Sequence, residues 1–214
     1  MSVSDFMATD LVTVTPDTPI FDAVDLMKHH DIHRLPVLEN GQLVGLITEG
    51  IIQEAMPSKA TSLSVYEVNY LLNKTTVRDV MIKNVATIAP DALLEDAIAL
   101  MRTKNIGVLP VVEGSDLKGI ITNNDIFDAF LKITGYNNGG TRVTIQIAED
   151  QKGILANIAK LLADNDFSIA TIVVNRVNGA TIIEIQVESP AVTTIRQALE
   201  TAGYTVTNAV LTNQ

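Results

Sequence analysis

Apolar residues along this chain recur with two periods, and the places where one gives way to the other mark its elements. Residues 11–15 and 85–89 are short β-rich runs, each halted by a proline, Pro16 or Pro90, that has no N–H to give to a ladder. Beyond the first run Thr18 is placed as an N-cap with Pro19 at the first helical position, and Ile20, Ala23, Val24 and Met27 share one helical face. Leu94, Ala97, Ile98 and Met101 repeat that face. Two apolar strands follow, residues 35–38 and 43–48, separated by the turn-forming Glu39, Asn40, Gly41 and Gln42; Glu113, Gly114, Ser115 and Asp116 separate the later pair. An amphipathic helix closes each set, around 51–55 and 126–131.

The two sets are copies. A shift of 74 residues aligns 3–55 with 77–129 without a gap, and about two positions in five are identical. Matched pairs include Met7 and Met81, Thr13 and Thr87, Pro16 and Pro90, Asp22 and Asp96, Gly45 and Gly119, and Thr48 and Thr122. An order β-α-β-β-α read twice predicts two units packed against each other. The first repeat is assigned to 1–60 and the second to 77–134; residues 61–76, where Tyr66, Leu71 and Leu72 suit a short helix, are read as a connector.

The pattern changes after 135–141, a turn-rich stretch with Gly135, Gly139 and Gly140 that is read as a flexible linker. Val143, Ile145 and Ile147 then alternate with Arg142, Thr144 and Gln146, as in a strand with one buried face. Ile154, Ile158, Leu161 and Leu162 form a helical stripe; residues 169–177 and 180–188 are β-rich runs joined at Asn178 and Gly179. A helix opened by Ser189 and Pro190 and a last strand at 204–211 complete β-α-β-β-α-β, a ferredoxin-like order, over 142–214. The fold class expected for the whole is α/β (α+β).

Composition narrows the functions open to this chain. Its net charge is −10, and no Lys/Arg cluster offers the local positive charge that nucleic acid or an anionic membrane requires. There is no cysteine, which excludes disulfides, thiolate metal sites and cysteine nucleophiles. No run of 18 residues is continuously apolar and residues 1–10 lack a secretory pattern, so a cytoplasmic protein is expected. His29, His30 and His33 lie close together near Asp31, but a helix end favours imidazoles for its dipole, and no metal is expected. No nucleophile elbow, phosphate loop or zinc-protease run is present.

The matched residues Asp5-x-Met7, Thr13 to Pro16-Asp17, Ala23, Leu26-Met27, Leu35-Pro36-Val37 and Leu43-x-Gly45-x-Ile47-Thr48, with their counterparts, resemble a cystathionine-β-synthase (CBS) repeat, and the tandem resembles a Bateman module. Asp150-x-x-Gly153-Ile154-Leu155, at a strand-to-helix turn of the last domain, resembles an ACT domain. Such resemblance implies adenine-nucleotide binding in the pair, where the third strand of a repeat leads into Thr/Ser-x-x-Asp, a hydroxyl and a carboxylate that hold the sugar. The second copy keeps this motif as Thr122-Asn123-Asn124-Asp125; the first reads Thr48-Glu49-Gly50-Ile51. Conversely, the first copy has the basic pair His33 and Arg34 where the second has Gly107 and Val108.

One competent cleft is therefore expected. In it Thr122 and Asp125 hold the ribose, His33 and Arg34 meet the phosphates, and backbone at Val85, Ala86 and Thr87 and at Gly107, Val108 and Leu109 flanks the adenine. Asp125 as a plain helix cap and Arg34 paired with a surface acid are the alternatives. In the last domain Asp150, Gly153, Ile154 and Leu155 are the residues implied to bind an amino acid or other small metabolite at a helix N-terminus, with capping by Asp150 as the alternative. The order of CBS pair and ACT domain resembles bacterial acetoin-utilisation proteins, which implies a regulator linked to acetoin or carbon metabolism. No catalysis and no cofactor beyond the nucleotide ligand are expected; homodimerisation and an unidentified regulated protein are. An interaction scaffold with empty clefts and an enzyme with a dispersed site are the rival readings.

Overall fold

In the computed structural model, residues 1–55, 74–149 and 151–213 are described. Asp150 and most of the expected connector, with Tyr66, Leu71 and Leu72, lie outside the described residues. The chain divides into two units, Met1–Ile126 and Phe127–Gln214. That division falls earlier than the stretch 135–141 expected to separate the domains.

In the first unit each repeat supplies one helix and one β-hairpin. Helix α1 (Ile20–His29) precedes β1 (Arg34–Glu39) and β2 (Gln42–Thr48), and α2 (Glu49–Ala55) follows. After α3 (Val77–Val80), the second copy runs α4 (Leu94–Lys104), β3 (Val108–Glu113), β4 (Asp116–Thr122) and α5 (Asn123–Ile133), the last continuing past Ile126. The strands form one sheet in the order β1-β2-β4-β3, the two hairpins meeting at Gln42 and Asp116. Both hairpins slip register at the same repeat position, between Val37 and Leu38 and between Val111 and Val112. Ile20, Ala23 and Met27 of α1 pack with Leu35, Val37 and Ile47. Burying an aliphatic side chain of this kind contributes about 1.5–3 kcal/mol.

Two expectations are corrected. Residues 11–15 and 85–89 do not form strands; each touches the sheet through one parallel bridge, Val14 to Val37 and Ile88 to Val111. Thr18 does not cap α1 either. Its hydroxyl accepts the Thr15 amide at 3.0 Å, and Pro19 is the N-cap because the Ile20 amide donates to the Thr75 carbonyl at 3.1 Å.

That last contact belongs to an exchange between the repeats. The start of each repeat packs on the other. The amides of Val77 and Arg78 donate to Thr18 and Pro16, and Ile82 pairs with Leu46 of β2. Symmetrically, Val3 and Ser4 donate to Ala92 and Pro90, and Ala8 pairs with Ile120 of β4. Gly45 and Gly119 make this possible: a Cβ at Gly45 would lie 2.5 Å from Met81 Sδ, and one at Gly119 2.5 Å from Met7 Sδ. The four matched positions of the sequence are thus two copies of one packing contact.

The second unit holds β5 (Gly140–Ile147), α6 (Ile154–Asp164), β6 (Ile169–Val177), β7 (Ala180–Val187), α7 (Val192–Thr201) and β8 (Thr205–Thr212). The sheet order is β6-β7-β5-β8, antiparallel throughout, which is the ferredoxin-like β-α-β-β-α-β arrangement. Val143, Ile145, Ile183, Ile185 and Val187 meet Ile158, Leu162, Ile195 and Leu199 in a single core. Gln186 is 1% exposed on the other face. Its amide donates to the Gly139 carbonyl and the Thr212 hydroxyl, both at 2.7 Å, while Arg142 donates to Gln186 Oε1 and to the Thr134 carbonyl. Residues 135–141 are thereby pinned to the sheet: Tyr136–Asn138 form a 3-10 turn and β5 starts at Gly140. No helix among the described residues is long and apolar enough to cross a membrane.

Candidate functional site

Within the first unit the exchanged segment and the two repeats enclose a cleft of about 910 Å³. Its walls follow from the elements just described. His33 and Arg34 stand at the start of β1, and Arg34 lies opposite Thr48 in the ladder, so the end of β2 carries Leu46, Thr48, Glu49 and Gly50 into the same wall. The pairing of Ile82 with Leu46 draws in Asn84, Val85, Ala86 and Thr87. Leu100 and Lys104 of α4 and residues 106–108 close the remaining side. The lining is apolar along much of its length with a few convergent polar groups, the usual make-up of a small-molecule site.

Charge in the cleft is mostly positive. His33 Nδ1 donates to Glu49 Oε2 at 2.8 Å, and Gln53 donates to Glu49 Oε1 at 3.1 Å. Among the described residues neither Arg34 nor Lys104 has a carboxylate within ion-pair distance. The guanidinium of Arg34 instead lies over Gly107, where an added Cβ would sit 3.3 Å from Nη2 and 2.9 Å from the Asn123 side-chain Nδ2. Glycine at 107 is what lets a cation from the first repeat reach the second. Two described groups with displaced titration lie elsewhere, on α3. Arg78 is held above its ordinary value by hydrogen bonds to Glu39 and then Asp17, and Asp79 below its own by the Thr76 amide and hydroxyl.

The cleft brings together His33, Arg34, Val85, Ala86, Thr87, Gly107 and Val108 of the residues read from the sequence. Thr122, Asp125 and Leu109 are not among its lining residues, and Leu109 is fully buried. The physical reason is the exchange: the segment carrying Val85 to Thr87 joins β2, which ends in Thr48, whereas β4, which ends in Thr122, receives Ala8. Asp125 Oδ2 accepts the Thr122 amide and hydroxyl, both at 2.7 Å, and closes the first turn of α5. At the matching place on α2 the Thr48 hydroxyl accepts the Ile51 amide at 3.3 Å.

Sequence reasoning missed Thr48, Asn84 and Lys104. The signal for Lys104 was its place in the last turn of a helix, two residues before Ile106 and Gly107. His29 and His30 stack edge to face 5.0 Å apart, while His33 turns to Glu49. In the second unit Gly153 has φ +95° at the N-cap of α6, a conformation that glycine alone adopts freely, and nothing lies within 4 Å of where its Cβ would be. Ile154 packs against the core and Leu155 is exposed.

Comparison with known proteins bears on this geometry. The family model described as the CBS domain matches residues 3–58 and 77–132. A protein assigned to acetoin utilisation (AcuB) from Vibrio cholerae is 28% identical, with a TM-score of 0.52 covering 62% of this chain and 91% of its own. The CBS domain pair of protein MJ0100, solved with 5′-methylthioadenosine and S-adenosyl-L-methionine, is 28% identical with a TM-score of 0.51, covering 61% of this chain and 95% of its own. CBSX2 of Arabidopsis thaliana, solved in complex with AMP, is 26% identical with a TM-score of 0.52, covering 62% of this chain and 97% of its own.

Proposed function

The chain belongs to the CBS-domain family, and we propose that its paired repeats form a regulatory, non-catalytic sensor of an adenine nucleotide bound in the 910 Å³ cleft. The observation that carries this reading is the meeting of Arg34, Lys104 and His33 with the backbone of residues 85–87 and 106–108 in one cavity. Arg34 and Lys104 suit a phosphate, and the backbone groups suit the edges of a base. The AMP complex of CBSX2 and the adenosyl ligands of the MJ0100 pair support the ligand class.

Binding regulates only through unequal affinity for two states of the protein. Calorimetric titration with AMP, ADP and ATP tests the site. At least one is expected to bind, and Arg34→Ala is expected to weaken it about tenfold or more, the loss of one charge-assisted contact. A protein that binds none of the three is not a sensor of this kind.

A second nucleotide position is proposed at Thr122 and Asp125, supported by the preorganised carboxylate beside the segment that contains Ala8. For the second unit the reading is an ACT-type domain binding an amino acid near Gly153, Ile154 and Leu155. The observed strand order and the turn of Gly153 into α6 support it. The Vibrio cholerae relative supports a place in acetoin or related carbon metabolism, with a regulated protein as partner. A homodimer is proposed from the resemblance to the CBS and ACT families, and light scattering tests it.

A further inference from the structure

We infer that the cleft takes hold of the 5′-phosphate and base of its nucleotide and not of the ribose diol, so that 2′-deoxyadenosine 5′-monophosphate binds as adenosine 5′-monophosphate does. This rests on the adenine-nucleotide reading above. Two adjacent sugar hydroxyls are held best by a carboxylate, which accepts from both at once and with charge assistance. The turn whose Thr48, Glu49 and Gly50 line this cleft continues into Ile51, where the matching turn of the second repeat has Asp125. The difference reaches the threonine. Both hydroxyls accept the amide three residues on, but Thr122 donates its proton to Asp125, whereas Thr48 keeps its own for a ligand acceptor.

The acid that does line the cleft is already engaged. Glu49 accepts His33 at one oxygen and Gln53 at the other, at 2.8 and 3.1 Å. Asn84 and Thr87 offer neutral acceptors, which hold a hydroxyl more weakly than a carboxylate does. On the phosphate side stand Arg34 and Lys104, neither with a described carboxylate partner, and the donating hydroxyl of Thr48. The recognition free energy of this cleft therefore falls on the anion and the base.

The test is calorimetric titration of the full chain carrying Asp125→Ala, so that the second repeat's carboxylate takes no part, with AMP, 2′-deoxy-AMP and adenosine. AMP and 2′-deoxy-AMP are expected within about threefold of each other, and adenosine weaker by about tenfold or more. Arg34→Ala is expected to weaken AMP and 2′-deoxy-AMP by the same factor. Ile51→Asp is expected to create a preference for AMP over 2′-deoxy-AMP of about tenfold. A tenfold loss with 2′-deoxy-AMP, or adenosine binding as tightly as AMP, overturns the inference. So does an Ile51→Asp protein that folds, by circular dichroism, and shows no new preference. If none of the three compounds binds to this variant, the adenine-nucleotide reading of this cleft itself fails, a result distinct from binding that depends on the diol.

Discussion

The turns that end β2 and β4 occupy matched places in two copies of one repeat, and both threonine hydroxyls accept the amide three residues on, yet only Thr122 spends its proton within the turn. Thr122 gives its amide and its hydroxyl proton to Asp125, so the turn is closed by its own carboxylate. Thr48 receives the Ile51 amide, and Glu49 beside it is drawn away to His33 and Gln53. A single change from acid to isoleucine thus converts a self-satisfied turn into one that offers a donor. The basic pair at His33 and Arg34 stands next to the turn that lost its acid. Duplication supplied two equivalent frames, and divergence at a handful of polar positions made their chemistry unequal.

The frames themselves can be set against each other, and here the largest effects are expected. Gly45 and Gly119 both admit a methionine from the other repeat, but a Cβ at Gly119 would also lie 2.9 Å from the Ala8 carbonyl oxygen, against 3.1 Å from that of Ile82 for Gly45. A methionine side chain can move aside; a backbone oxygen held in a bridge cannot do so cheaply. Gly119→Ala is expected to cost about 3 kcal/mol and Gly45→Ala nearer 1, the range for forced overpacking. Urea denaturation of the two variants measures both. Equal costs would mean that the methionines, not the bridged backbone, set the limit.

Asp125→Ala is the next test, expected to lower stability by about 1 kcal/mol because the Thr122 amide and hydroxyl lose their acceptor. In a chain of this size that is a fall of about 2–4 °C in melting temperature. An unchanged melting temperature would remove the self-satisfied half of the comparison.

The inequality of the turns was legible in the sequence, because Ile51 against Asp125 and His33-Arg34 against Gly107-Val108 appear on aligning the copies. Much of the element order was legible too, the strands expected at 11–15 and 85–89 excepted, since the buried stripes of α1, α4, α6 and α7 keep helical spacing and β5 alternates along its length. What local reading could not supply was which copy a segment serves. Residues 82–87 follow the first repeat and lead the second, and only contacts spanning the chain, Ile82 with Leu46 and Met81 on Gly45, bring them to Thr48. The same blindness placed Thr18 as a cap, since its rival was the Thr75 carbonyl, far along the chain. It also read 135–141 as a flexible linker, because Gln186, which donates to the Gly139 carbonyl, reads as an ordinary outward residue of a strand.

The smallest expected effect concerns the leading segments, where the two copies agree rather than differ. Ser2 donates its amide to Asp5 Oδ2 at 2.7 Å, and Thr76 donates its own to Asp79 Oδ2 at 2.8 Å, so each exchanged segment opens with the same cap. The carboxyl of Asp79 is held below its ordinary value by those hydrogen bonds from Thr76. A carboxyl whose folded-state value is lowered binds fewer protons folded than unfolded, so its contribution is complete above the unfolded-state value and is lost as pH falls through the folded-state one. Asp79 is exposed, and the effect is correspondingly modest. Melting temperatures followed from pH 6 to about 2.5 are expected to fall less steeply for Asp79→Asn than for the unaltered chain. Parallel curves would show that the cap at Thr76 adds nothing to the hold of the first repeat on the start of the second.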